Sequence, residues 1–356
     1  MSHPPKVYVV GVGMITAIGG SALTTAVAVR ARRKGLRISD EDKNAACKPI
    51  TMAPVPDAAL PEFFHELETS EDINVPIGRM LLMASVALEE VMASYPGHKP
   101  LPLILAGPTA YTGQEIAFSH GFIDLLSAQT DIEFDRANSR LITTGRSGVL
   151  AGIDIAMKYL NLGTDDYVLV GGVDSYQDPD LLWQLDERDR IKAEETPDGF
   201  IPGEAAGFLL LTSKPERAKR FGGYKISLYA PGLANEPGHL YSDETYTGSG
   251  LADALRLAIG QGDGQAIQTV YSSMNGEHFW AKEYGVAMLR NKDAFSDNVN
   301  HEHPADCFGD IGAAMGAVLI GVAGLSMARS GKLQHGLVYC SSDQAQRAAL
   351  CIGLEA

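Results

Sequence analysis

Two helical stretches, residues 147–162 and 312–327, are small and apolar almost all the way round. A helix lying on a protein surface shows a polar face, and one without such a face must be covered on both sides. These two fit between sheets, and the chain offers the strands: short apolar runs at 6–12, 101–106, 167–170, 207–211, 268–271 and 336–340. Apolar residues at about 3.6-residue spacing mark further helices over 79–94 and 250–259. Strands alternating with helices predict an α/β fold with largely parallel or mixed sheets. With the two apolar helices sandwiched, the layering becomes α/β/α/β/α.

At 356 residues the chain has room for one large domain or two fused halves. It carries 29 Lys and Arg against 44 Asp and Glu, a formal charge of −15, which opposes nucleic-acid backbones and anionic membrane surfaces as partners. Cys47, Cys307, Cys340 and Cys351 are widely spread and form no CxxC pair, as in a cytoplasmic protein with reduced thiols. No spacing suggests a metal or another cofactor.

Residues 7–29 hold no charge and could pass for a signal peptide or membrane span. Gly11, Gly13, Gly19 and Gly20 interrupt the stretch, which reads better as a strand over 7–12, a glycine loop and a helix from about Ser21. The GxG is no dinucleotide fingerprint, because Thr16 takes the place of the third glycine. Residues 35–75, with four prolines, and 181–197, rich in both charges, read as surface excursions. No short-period repeat is present, so solenoids drop out.

Residues 198–211, DGFIPGEAAGFLLL, resemble the segment of β-ketoacyl synthases of the thiolase superfamily that runs DGF, two apolar residues, GEGAG and a hydrophobic strand. Physically this is a glycine-rich turn feeding a buried strand, with Glu204 as a buried acid that needs a partner. The stretch from Ser147 to the Gly171-Gly172 pair is similar to the family's nucleophile helix and following strand, and the opening VYVVGVGMITAIGGS to its first strand and loop. Gly312 to Val318 and a final strand pair follow in the family's order. The resemblance covers nearly the whole chain, least over 35–75. It implies a thiolase-like five-layered α/β/α/β/α fold of two similar halves, 1–212 and 213–356, forming one compact unit.

The resemblance also assigns positions for the condensing chemistry, and this chain departs from each. The family's cysteine, at the start of the buried helix where the dipole lowers a thiol pKa, falls on Gly145, or on Thr144 in the neighbouring register. Asn275 stands where the first histidine would be, and Asp310 replaces the second. The family's lysine falls at Ala305, and its C-terminal glycine loop at 340–345 reads CSSDQA. Decarboxylative condensation needs a thiolate together with donors for enolate and oxyanion. Ordinary ketosynthase activity is therefore not expected.

The replaced loops are expected to gather Thr144, Arg146, Asn275, Glu277, His278, Cys307 and Asp310 into one neighbourhood. A relocated triad of Cys307, His278 and Asp310 is the boldest chemistry there, against a core-packed cysteine as the plain alternative. Arg146 at a helix start opposes the dipole unless it pairs, with Asp310 or Glu277 as the structural choice and an anionic ligand as the functional one. His301, Glu302 and His303 read as solvated loop rather than metal ligands, and Asp174, Asp178 and Asp180 with Tyr176 as an acidic loop rather than a calcium site. Trp183 and Trp280 are either core or interface anchors.

Three functions remain open. The first is a homodimeric binding or scaffold component without condensing activity. The second is an acyltransferase or other acyl-thioester enzyme with a rebuilt site, for which an acyl carrier protein is the partner. The third is a partner of an active ketosynthase, similar to the chain-length factors, which also lack the cysteine. The 35–75 and 181–197 stretches are brief for the substrate-covering cap of a condensing enzyme, which favours the first.

Overall fold

The computed structural model describes residues 5–44, 47–64, 67, 73–109, 118, 119, 121–331 and 334–356. From the N-terminus, β1 (Lys6–Thr16) leads to α1 (Ala22–Arg30), a ribbon of β2 (Arg37–Lys43) and β3 (Pro49–Met52), then α2 (Val75–Met92) and β4 (Leu103–Ala106). Next come α3 (Gly121–Thr130), β5 (Arg140–Ile142), α4 (Gly148–Asn161), β6 (Val168–Ser175), α5 (Pro179–Asp186) and β7 (Glu204–Thr212). After β8 (Arg220–Phe221) follow β9 (Tyr224–Tyr229), β10 (Gly232–Asn235), α6 (Ser249–Gln261), β11 (Ile267–Ser272) and α7 (His278–Arg290). The chain ends with β12 (Phe295–Glu302), α8 (Ala305–Phe308), α9 (Met315–Ser330), β13 (His335–Ser341) and β14 (Gln346–Glu355).

The strand order is β12-β11-β13-β14-β9-β1-β7-β6-β4-β5. In β1-β7-β6-β4-β5 the first two pairings are antiparallel and the last two parallel. The run β9-β14-β13-β11-β12 repeats that pattern of order and direction. A short antiparallel contact, residues 6–8 of β1 against 227–229 of β9, joins the two runs. α4 and α9 occupy equivalent places: α4 lies between edge strand β5 and β6 in the chain, and α9 between edge strand β12 and β13.

Alternation along the strands shows the layers. In β7, Leu209 and Leu211 point into the core that contains α4 and α9, while Phe208 and Leu210 point to α2 and α3. In β13, Val338 and Cys340 share the central core, while Leu337 and Tyr339 face α6 and α7. Strands buried on both faces cannot alternate polar with apolar, which is why they read as continuous apolar runs. Each large side chain buried in this way contributes about 1.5–3 kcal/mol. α9 touches strands of both runs. The helical stretch Gly312–Ser330 is long and apolar enough to cross a membrane by composition, yet 83% of it is buried inside the protein.

Several expectations need correction. The glycine loop after residue 12 is still strand as far as Thr16, because α2 crosses β1 there: a Cβ on Gly13 would lie 2.0 Å from the Ala87 carbonyl oxygen. Ser21 caps α1 as expected, its Oγ accepting from Thr24 N at 3.3 Å. Residues 181–197 are no mere surface excursion: α5 buries Leu181, Leu182 and Leu185 against Ile50, Met52 and Phe200. Part of 35–75 forms the β2–β3 ribbon, and residues 45, 46, 65, 66 and 68–72 of that stretch lie outside the described residues. His301 and Glu302 end β12 rather than standing in a loop. Glu204 has the partner its burial demands: Arg79 Nε donates to its Oε2 at 2.7 Å and Ser175 Oγ at the same distance.

Candidate functional site

The starts of α4 and α9 meet where the chain turns out of β5 and out of α8. Gly145, with φ of +63°, opens the turn before α4 and places Arg146 inward, 3% exposed. Such a cation at a helix start is tolerable because carboxylates surround it. Arg146 Nη1 donates to Asp310 Oδ2 at 2.7 Å, Nη2 to Asp343, and Nε to the Ser341 carbonyl at 2.9 Å. Burial works against its charge, but Asp310 and Asp343 outweigh burial and hold the guanidinium well above its ordinary pKa.

Arg190, just after α5, extends the cluster. It forks onto Glu277 through Nε at 2.8 Å and Nη2 at 2.7 Å, and its Nη1 reaches Asp343 Oδ2 and Tyr241 OH, each at 2.6 Å. Here too burial opposes the charge, while Asp343 and Glu277 raise the pKa well above its usual value. Asn275 ties the two ends together, Nδ2 donating to Glu277 Oε2 at 2.9 Å and to Asp310 Oδ2 at 2.8 Å. Three carboxylates, Glu277, Asp310 and Asp343, thus hold two guanidiniums, and all five groups are buried. Trp280 completes the packing: Arg146 lies 4.8 Å and Arg347 5.5 Å from the ring centre, and its Nε1 donates to Glu277.

The β13–β14 turn is held just as firmly. Ser342 Oγ accepts from the amide of Ser147, the residue just before α4, at 3.1 Å. Arg347 Nη1 donates to the Ser342 carbonyl at 2.7 Å and its Nε to Glu283 at 2.7 Å. At the start of α9, Asp310 Oδ1 accepts from Gly312 N and Asp174 Oδ2 from Ala313 N. Burial pushes Asp174 up to about 7, with its backbone donors opposing and Asp310 adding to the rise.

The sequence-derived candidates divide. Arg146, Asn275, Glu277 and Asp310 come together, and Arg146 takes the structural choice of partner, Asp310, with Asp343 added. Thr144 stands one residue before the turn, and its Oγ1 is buried without a hydrogen-bond partner among the described residues. His278 lies outside, its side chain 86% exposed and paired with Asp198. Cys307 packs in the apolar core between the sheets, where burial raises its thiol pKa. The acidic loop is also differently disposed: Asp174 is buried in β6, while Asp178 caps α5. His301 and His303 bond Tyr284 and Ser272 separately. Trp183 is exposed and Trp280 buried.

Sequence reading missed Arg190 and Asp343. The signal available for Arg190 was the i, i+1, i+4 pattern of Leu181, Leu182 and Leu185, which marks an amphipathic helix in a stretch otherwise rich in charge.

Cavities flank the cluster on two sides. An outer cleft of about 640 Å³ is lined by Arg188, Arg190, Tyr241, Glu277 and Phe279 among others. An inner cavity of about 280 Å³ is lined by Ile77, Met80, Phe118 and Leu181 together with the polar Arg146, Asp174 and Asp343. The Arg190–Asp343 pair lies between them.

Comparison with known proteins agrees with this architecture. Residues 117–217 match the family model for the β-ketoacyl synthase N-terminal domain. No curated protein sequence matches the chain. Among solved structures, the ishigamide ketosynthase/chain length factor is similar over 99% of this chain and 100% of its own, at 16% identity and a TM-score of 0.76. The ketosynthase from module 6 of the bacillaene synthase of Bacillus subtilis 168 is covered over 72% of its length by 99% of this chain, at 15% identity and a TM-score of 0.77. A chain of the complex between a ketosynthase and its chain length factor from Xenorhabdus doucetiae is similar over the full length of both, at 16% identity and a TM-score of 0.72. The chain has the thiolase-like fold of these ketosynthases.

Proposed function

We propose that this chain is a ketosynthase-like protein without condensing activity, acting as a dimeric binding or scaffold component in the cytoplasm. The observation that carries this reading is the buried cluster of Arg146, Arg190, Glu277, Asp310 and Asp343. It lies among the positions where the resemblance puts the cysteine and both histidines, at Gly145 or Thr144, Asn275 and Asp310. Carboxylates at that place repel a developing enolate. Moving an arginine aside to admit an acyl group leaves buried charge unpaired, which costs several kcal/mol.

The repeated strand pattern supports a division of the chain into halves at 212/213. It also supports dimerisation at β5. In the second half, α1 packs against α9, and Arg32 just beyond α1 bridges to Glu302 of the edge strand β12. In the first half the equivalent edge offers β5, with Ile155 of α4 38% exposed and Leu162 just after it 76% exposed. A sheet edge beside apolar side chains suits a second copy of the chain.

A second reading, a chain-length-factor-like partner of an active ketosynthase, draws on the full-length likeness to chains from ketosynthase/chain length factor structures. A stable homodimer purified without any partner would count against it. The test of the main reading is intact-protein mass after incubation with a panel of acyl-CoA and acyl carrier thioesters, with Thr144→Ala and Cys307→Ala alongside. The expected result is no adduct. A saturable adduct lost in one variant would overturn the reading, identify the nucleophile and favour a rebuilt acyl-thioester enzyme.

A further inference from the structure

We propose that the inner cavity binds a small, largely apolar molecule carrying an ammonium group, with the Asp174 carboxylate as its counter-ion. The inference rests on the reading above that the site does not hold acyl groups. Asp174 is 7% exposed, and its oxygens accept from two neutral amides, Ser175 N at 2.9 Å and Ala313 N at 2.7 Å. Among the described residues it has no cationic hydrogen-bond partner. A buried carboxylate in that situation is costly unless protonated or given a cation.

Arg146 acts on Asp174 through space without a hydrogen bond, and its donors are committed elsewhere. Arg146 lines the same cavity, but it is already shared between Asp310 and Asp343. Asp343 is itself divided between Arg146 and Arg190. Asp178 and Asp180 add further negative charge to the lining. The charged part of the lining, four carboxylates against one guanidinium, therefore disfavours an anion and gains from a cation.

The remaining walls fix the rest of the ligand. Pro76, Ile77, Met80, Phe118 and Leu181 offer apolar surface, and a volume of about 280 Å³ limits the occupant to a small molecule. A short alkyl or aryl ammonium satisfies both ends. Each Asp174 oxygen accepts one backbone hydrogen bond, which leaves capacity for N–H donors of the ammonium.

Titration calorimetry at pH 8 with n-hexylammonium, hexanoate and 1-hexanol tests this. The expected result is saturable binding of hexylammonium only, weakened about tenfold or more in Asp174→Asn. Met80→Trp, which keeps the carboxylate and fills the apolar wall, is expected to abolish it, so the test survives a poorly folded Asp174 variant. Equal or tighter binding of hexanoate or hexanol, no hexylammonium binding to the parent, or binding unchanged in the variants would overturn the proposal. These outcomes are separate from the acyl adduct that would overturn the functional reading: an adduct leaves amine affinity to be measured, and loss of amine binding does not restore condensation.

Discussion

Arg79 and Arg146 each hold a carboxylate that water does not reach, Glu204 in one case and Asp310 in the other. The Arg79 cluster is balanced. One guanidinium faces one buried acid, and its Nη1 goes out to the exposed Asp57. Glu204 is further satisfied by Ser175 Oγ and Val55 N at 2.7 and 2.8 Å, which pins the start of β7 to the loop before α2. The Arg146 cluster has an excess carboxylate, draws on five separated chain segments and has a cavity on either side. The first is a structural fastening, and the second lies where the proposed reading puts the lost catalytic residues. A surplus of buried charge beside a cavity is expensive to keep for stability alone.

The largest expected difference between the two comes from removing each arginine. Arg146→Met leaves the buried Asp310 and Asp343 short of a partner, and should lower unfolding stability by about 3–5 kcal/mol. Arg79→Met leaves Glu204 its hydroxyl and amide donors near a partly exposed guanidinium site, so the loss should be smaller, about 2–3 kcal/mol. Denaturant titrations of both variants check the order, and a larger loss for Arg79 would reverse the distinction.

The next effect depends on pH. Asp174 has a folded pKa of about 7 against an ordinary 3.8, so the folded state keeps a proton that the unfolded state has released. Stability should therefore fall as pH rises from about 4 to about 7 and level off above. Asp174→Asn removes that slope, and a gap of roughly 2 kcal/mol should open in its favour between pH 5 and pH 8. Melting curves across that range would show parallel profiles if the carboxyl were better solvated than its burial implies.

How much of this was legible in the sequence follows from where the partners lie. Apolar periodicity marked α4, α9 and the central strands, because burial on two sides leaves a local trace. Glu204 announced its need for a partner through the motif around it, and Arg146 through its place at a helix start. Arg190 had only the leucine spacing of α5 to point to it, since Glu277 and Asp343 lie 87 and 153 residues further on. Its surroundings of charged residues read as surface until α5 is seen to bury its leucines. Gly11 and Gly13 misled in the other direction, since they serve a close helix crossing within β1 and not a turn. Cys307 and His278 are near Asp310 and Glu277 in sequence, but α8 turns one into the core and α7 leaves the other in solvent.

Arg146 and Asp310 form a buried, mutually dependent pair, and a double-mutant cycle measures that directly. Unfolding free energies of the parent, Arg146→Met, Asp310→Asn and the double variant should give a coupling of about 2 kcal/mol. A coupling near zero would mean that water already separates the two groups, that the site is open, and that the closed ionic cluster described here is wrong.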